Sequence, residues 1–469
     1  MTNTDTITIA LEKADFFPAN RVTDDTSILT LKNLVFEPLC GWHDGIARPA
    51  LFASWQHSDG GRTWHFHLRD DAVFHDGVAC TVQHVLDFLD AIVTAVDTFG
   101  MKWSYARYLA QARFTAVSGT CLKLENPQPL ADIVDLFSEF YLCRQNADGA
   151  PVLGTGPYRV EDWQPGSSAT LARAARHDVW PRYIRVLALP DAGVRYAALC
   201  DGSVDMAHNL ERQHSPLDFD PRFDWQRQLN TLSVMSYLNQ SQGLFASPEA
   251  RLAINHAVDA QVIIDELFQG LGQPSATIVS PFHLGYREAS VAPIAFDTDK
   301  AKRLFERAAR DHAGELLLRT PETMPEKSYE MTAMVQQMLA RVGMPSRIEV
   351  QRDRPEYARE IGRKQMGDVA IFDSSPHSTY RILDDKISSR TRAVWWQGHD
   401  DAELEPLILA ANHAVENGDR ARAYGRCLAR LNVNPPWLYL FHPVEVCAAR
   451  PGLRAFTLTP KGGLALTPT

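Results

Sequence analysis

Paired cysteines are missing from this sequence. Its seven, Cys40, Cys80, Cys121, Cys143, Cys200, Cys427 and Cys447, are scattered, and none forms a C-x-x-C pair. That excludes zinc-ribbon and thioredoxin-like sites. An odd, dispersed set suits small apolar core residues in a reducing compartment, although exported proteins also carry unpaired thiols. Basic charge is scarce too: 47 Lys and Arg against 57 Asp and Glu leave a net charge of −10, with no polybasic run. Nucleic acid and anionic membrane surfaces are therefore poor partners. No apolar run approaches the roughly 20 residues that span a bilayer. The opening "MTNTDTITIALEKAD" lacks a basic n-region, a long apolar h-region and a small-residue cleavage site. It carries no export signal, so either one has been removed or the protein stays in the cytoplasm. Also absent are G-x-x-x-x-G-K-[ST], H-E-x-x-H and G-x-S-x-G, which leaves no catalytic constellation in view.

What is present is ordinary globular composition over 469 residues, enough for two or three domains with a large core. "DTITIAL" alternates Ile7 and Ile9 with threonines and reads as a strand. "TSILTLKNLVFEPL" reads as a helix with an Asp/Thr cap, closing near Pro38. "SDGG" is a turn before the strand "RTWHFHLR". "TVQHVLDFLDAIVTAV" is an amphipathic helix from Thr81, with Val85, Phe88, Leu89 and Val93 on one stripe. "GTGPYRVEDWQPGSSATLARA" gives a turn, a strand, a Pro-Gly turn and a strand; "RYIRVLAL" is another strand. "VRYAALCDGSVDMA" reads as helix, glycine stop and strand. "SPEARLAINHAVDAQVIIDELFQ" is helical from Ser247, with Pro248 at the first position. Residues 314 to 373 run strand, helix, strand, helix, strand, and the last 30 residues are short strands. No internal repeat or low-complexity linker occurs, so any domains are interleaved.

Three features invite a chemical reading. "RTWHFHLRDDAVFHDGV" places His65, His67 and His75 within a dozen positions. Strand alternation puts Trp64, Phe66 and Leu68 on one face and the two histidines on the other. A metal would need further ligands at about 2 Å, and Asp76-Gly77 is itself turn chemistry. Scaffold is the stronger reading, with a metal-dependent hydrolase as its rival. "GTGPY" looks like half a phosphate loop, but it lacks a third glycine and Pro157 removes an N–H; it reads as a turn into a strand. Ten tryptophans include Trp103, Trp180, Trp395 and Trp396 beside turn-rich or polar sequence, where they suit a pocket wall or simple packing.

Taken together, the segments resemble one family. The residues concerned are Glu37-Pro38-Leu39, Ala53-Ser54-Trp55, Phe66-His67-Leu68-Arg69 and Phe74-His75-Asp76-Gly77, then Thr81 and Val85 opening a helix. With Gly154-Thr155-Gly156-Pro157-Tyr158, "PEARLAINHAVDAQVIIDELFQGLGQPS" and "FDTDKAKRLFERA" they are similar to the family 5 extracellular solute-binding proteins of ABC transporters. These take peptides, dipeptides, nickel or glutathione. One departure is His84, where the family carries an aspartate. The matches run from about residue 33 to 445.

The resemblance implies an α/β, two-lobed periplasmic-binding-protein-like fold (type II, cluster C) with an interlobe ligand cleft and no enzymatic activity. Lobe I would take residues 1–235 plus 440–469, and lobe II residues 240–435, with crossings near "MSYLNQS" and "PWLYLFHP". The ligand would be a small carboxylate-bearing molecule: a short peptide, an opine-like compound or a metal chelate. In "FDSSPHSTY", His377 follows the nickel-type P-H-S pattern, while Asp373 falls near the amine anchor of peptide binders. Ser388 stands where a nickel binder keeps a metal-ligating histidine, which puts direct metal ligation in doubt. Arg144 matches an arginine that pairs with chelator carboxylates. Trp103 matches a pocket tryptophan, and Phe16 and Trp396 complete the expected contacts. No cofactor or resident metal is implied. Partners would be the ligand and an ABC permease and ATPase complex, with the protein a monomer in the periplasm or otherwise outside the cytoplasm. A cytoplasmic ligand sensor without a transport role is the alternative.

Overall fold

The structure, a computed structural model, describes residues 5–97, 100–175, 177–309 and 314–467. The chain divides into two compact units, Met1–Gln228 with Glu445–Thr469, and Leu229–Val444. The chain passes between the units at Gln228/Leu229 and at Val444/Glu445. "MSYL" belongs to Ser233–Leu238, a strand buried at every position, and "WLYLFHP" to the strand Trp437–Ala449. Such near-continuous apolar runs suit strands covered on both faces.

In the first unit the strand Thr6–Leu11 lies between parallel neighbours, Tyr183–Ala188 and Met206–Ala207. Ile7 and Ile9 are wholly buried, as the alternation predicts. Tyr158–Gln164 and Ser168–Arg173 form the antiparallel hairpin beside them, turned at Gly166 with φ 70°. The helix Thr26–Val35 begins where the Asp25 carboxylate accepts from Ser27 N and Ile28 N at 2.9 and 3.2 Å, satisfying amides that the first helical turn leaves unpaired.

A second, four-stranded sheet holds Phe52–Ser58, Thr63–Leu68, Cys121–Glu125 and Arg113–Ala116. Trp64, Phe66 and Leu68 are buried on one face, and Phe66 packs 5.0 Å from Phe52 and 4.9 Å from Phe137. The helix Val82–Ile92 is closed at its start by a capping box in which Thr81 N donates to His84 Nδ1 at 3.1 Å. His84 thus does the work an acidic residue does at that position of the box. Val93, expected on the buried stripe, is 37% exposed because the helix ends at Ile92.

The second unit carries the strand, helix, strand, helix, strand run. Leu316–Pro321 is parallel to Ser346–Gln351 and to Val369–Ser374. The helices Ser328–Arg341 and Arg354–Gly362 connect them. Ser233–Leu238 adds antiparallel to Val369–Ser374 and to residues 437–441. The helical stretch after Ser247 is two helices rather than one, Pro248–Ala257 and Ala260–Phe268. Val258 is extended, and Asp259 caps the second helix from its own side chain. Local hydrogen bonding by aspartate competes with helix continuation. One core gathers Ile254, Ile263, Ile264, Phe305, Leu318, Val335 and Leu339.

Among the described residues no two cysteines form a disulfide. Five are buried, as small core residues; Cys143 is half-buried and Cys200 is exposed.

Candidate functional site

In open α/β sheets, ligands gather at the carboxyl ends of the parallel strands. In the second unit that place is Phe372-Asp373-Ser374, and the surrounding side chains are mainly aromatic and cationic. The Phe372 ring lies 5.5 Å from Tyr237, 5.2 Å from Trp395 and 6.2 Å from Tyr357. The Arg354 guanidinium sits 4.5 Å from the same ring centroid. Lys386 Nζ donates to the Asp373 carbonyl oxygen at 3.2 Å. Tyr357 Oη is tied to the Arg319 and Ile371 carbonyls at 3.1 and 2.8 Å, which fixes the ring beneath Phe372. Burial first, then the carboxylates of Asp373 and Asp385, push the Tyr237 phenol well above its ordinary range, so it stays neutral.

The "SSPHS" loop continues from this strand. His283 Nε2 donates to the Pro376 carbonyl at 2.8 Å, pinning the loop. His377 is 7% exposed, and Ser378 caps the Thr379–Ile382 turn of helix. Ser388 faces inward: its Oγ donates to Glu405 Oε2 at 3.0 Å. Trp396 lies half-buried, its Nε1 donating to the His399 carbonyl at 2.7 Å, with Arg392 5.2 Å from its ring. The structure therefore brings Asp373 together with Phe372, Trp395, Lys386, Arg354, Tyr237 and Tyr357. None of the last four was legible as a site residue. They meet through strand pairing between positions far apart in the chain, such as Ser236 with Ile371 and Tyr237 with Ala370, and no local spacing signals it.

In the first unit Arg144 packs against the "FHDG" turn. Its Nη1 is 3.1 Å from Asp76 Oδ2, its guanidinium lies 4.7 Å from the Phe74 ring, and its side chain is 30% exposed. Its backbone bridges Leu153 in both directions. Asp76 engages Nη1 through both carboxylate oxygens, at 3.5 and 3.1 Å. Trp103 is half-buried, 6.1 Å from Tyr105. Phe16, expected at the ligand, is a core residue: it is 4% exposed and edge-on to Phe36 and Trp163 at 6.0 and 5.4 Å. Trp163 Nε1 donates to the Ala14 carbonyl at 2.8 Å, which draws the chain after the first strand inward.

Beside the end of that strand lies a partly buried charge cluster. Glu211 and Glu445 share the Asn209 amide, at 3.2 and 2.5 Å, while Arg212 reaches Glu12 at 2.9 Å and Glu211 at 3.2 Å. Burial and then the neighbouring Glu445 raise the Glu211 carboxyl to about 8, so Glu211 holds its proton at neutral pH.

The opening histidines have structural work. Gly154 N donates to His75 Nδ1 at 3.3 Å, and His75 Nε2 donates to the Gly156 carbonyl at 3.0 Å. His75 thus fastens the "GTGPY" turn, whose glycines press on the Val35 backbone; a Cβ at Gly154 would sit 2.1 Å from Val35 O. His65 and His67 stay in the ladder, opposite Gln56 and Ser54. Among the described residues no group of three or more His, Cys, Asp or Glu side chains could hold a metal ion.

Two α/β units of this kind match solved structures of the periplasmic-binding-protein fold. The family model for bacterial extracellular solute-binding proteins, family 5, matches residues 47–381, and the chain belongs to that family. It is 26% identical to the dipeptide-binding protein of Pseudomonas aeruginosa, over 95% of this chain and 91% of that one. It is 25% identical to the nickel-binding periplasmic protein of Escherichia coli, over 82% of this chain and 74% of that one. The structure of NikA from Brucella suis in complex with Fe(III)-EDTA superposes with a TM-score of 0.79 at 20% identity, covering 98% of this chain and all of that one. The chain is therefore a substrate-binding protein of ABC transporters and not an enzyme, which disposes of the hydrolase reading.

Proposed function

We propose that the protein captures a small ligand bearing at least one carboxylate, a short peptide, an opine-like compound or a metal chelate, outside the cytoplasm. It hands that ligand to an ABC permease and its ATPase. Relatives at nearly equal identity are named for a dipeptide and for nickel, and a structural neighbour holds an EDTA chelate. Dipeptides and EDTA chelates share carboxylate groups.

The observation that carries the reading is Arg144. It is a partly exposed guanidinium set 4.7 Å from the Phe74 ring and anchored by Asp76 through Nη1, and its fork suits a bidentate carboxylate contact. Asp373, His377, Trp103 and Trp396 are the remaining proposed contacts.

The test is native mass spectrometry of protein purified without refolding, followed by calorimetry with the mass identified. A bound carboxylate-bearing species is expected, with affinity falling at least about tenfold in Arg144→Ala. A ligand without a carboxylate refutes the reading. Unchanged affinity in Arg144→Ala removes Arg144 from the site.

A further inference from the structure

Lys386 lies in Leu383–Ile387, a single turn of π-helix, a form found mostly as local bulges and frequently at functional sites. Its side chain is turned inward, 7% exposed. Nζ is 3.2 Å from the Asp373 carbonyl oxygen, 5.9 Å from the Tyr237 ring centroid and 5.8 Å from that of Phe372. A carbonyl oxygen and two aromatic faces within about 6 Å are what a primary ammonium binds. The carboxylates of Asp373 and Asp385 lie close enough to act on the Tyr237 phenol, with Arg354 opposing them. Both acids therefore add negative potential beside the two rings. This seat adjoins the carboxyl end of Val369–Ser374, where the sheet places ligands.

We infer that Lys386 determines specificity by filling, from within the chain, an ammonium seat at that strand end. The ligand therefore presents no free amine there and enters as an N-blocked or metal-chelated carboxylate. An amine-terminated ligand would have to displace Lys386 or set a second ammonium against it, and like charges at contact distance repel. The inference rests on the ligand meeting the second unit at this strand end, as proposed above.

Lys386→Ala empties the seat and keeps both rings; Lys386→Met keeps the volume without the charge. The first probe is n-propylammonium chloride, with tetramethylammonium chloride as the control, read as melting temperature. The Ala variant should be stabilised saturably by n-propylammonium alone, and neither wild type nor Lys386→Met should respond. The second probe is alanyl-alanine against N-acetyl-alanyl-alanine by calorimetry. The ratio of the two affinities should shift at least about tenfold toward the free amine in Lys386→Ala. The Met variant should shift it in the same direction, and it carries this arm if the Ala variant does not fold. A wild type that prefers the free amine overturns the inference, as does an Ala variant indifferent to n-propylammonium. Rescue by n-propylammonium with neither dipeptide bound by either protein upholds the filled seat and strikes dipeptides, free or N-blocked, from the proposed ligands instead.

Discussion

Four histidines are held neutral inside the fold, and three of them belong to the second unit. His283, His399 and His442 there, and His208 in the first unit, are each pushed by burial from an ordinary 6.5 to about 4. The hydrogen bonds agree. His283 Nδ1 accepts from Ser280 N at 3.2 Å while Nε2 donates to Pro376, so a second proton would face an N–H. His399 and His442 donate from Nδ1 to Gln240 Oε1 and the Leu232 carbonyl, at 2.8 and 3.1 Å. Their Nε2 atoms have no partner among the described residues. Between pH 6.5 and 4 the unfolded chain binds protons that the folded chain refuses, so stability falls as pH falls through that window.

From pH 7 to pH 5 each such histidine loses about 2 kcal/mol, so the second unit loses roughly 5 to 6 kcal/mol. That is comparable to the whole stability of a domain. The first unit behaves differently. His208 costs it about 2 kcal/mol, but Glu211 acts in the opposite direction. Its folded pKa is raised, so the folded state binds the proton first and gains stability as pH falls from about 8 toward 4.5, by a similar amount. Acid should therefore unfold residues 229–444 while the first unit stays folded. The assay is urea titration at pH 7 and pH 5 with pulsed deuterium labelling at a common pH, reading peptides from each unit separately. A loss below about 1 kcal/mol in the second unit, or an equal loss in both, would refute the argument.

Two further outcomes follow from the first unit. Gly154→Ala should cost at least about 3 kcal/mol in a urea melt, because the new methyl meets the Val35 carbonyl rather than a movable side chain; a neutral result would show that the two segments can separate freely. His75→Ala removes a donor and an acceptor from the "GTGPY" turn and should cost about 2 kcal/mol, with bound zinc by elemental analysis unchanged. Unchanged stability with zinc lost would return the opening histidines to a metal site.

Much of the fold was legible because its signals are local. Alternation in "DTITIAL", the Asp25 and Thr81 caps and the strand–helix run over residues 314 to 373 each depend on neighbours within a few positions. The resemblance rested on the same kind of feature. Turns such as "FHDG" and "GTGPY" keep their residue types because backbone approaches and side-chain clips demand them, as Gly154 and His75 do.

Errors came where a local signal had two outcomes. The stretch after Ser247 keeps helical periodicity through Val258, yet Asp259 bonds its own following amides and starts a second helix. Phe16, expected among the ligand contacts, lies in the core, where Trp163 holds Ala14 and packs edge-on to its ring. Likewise the sequence alone determined strands, caps, turns and the family they belong to. Which cation meets which ring was decided by tertiary structure. Lys386, Arg354, Tyr237 and Phe372 come from four separate segments, and strand register and a π-turn set their distances. Such contacts leave no periodic trace in the chain, because each depends on packing between elements far apart in sequence.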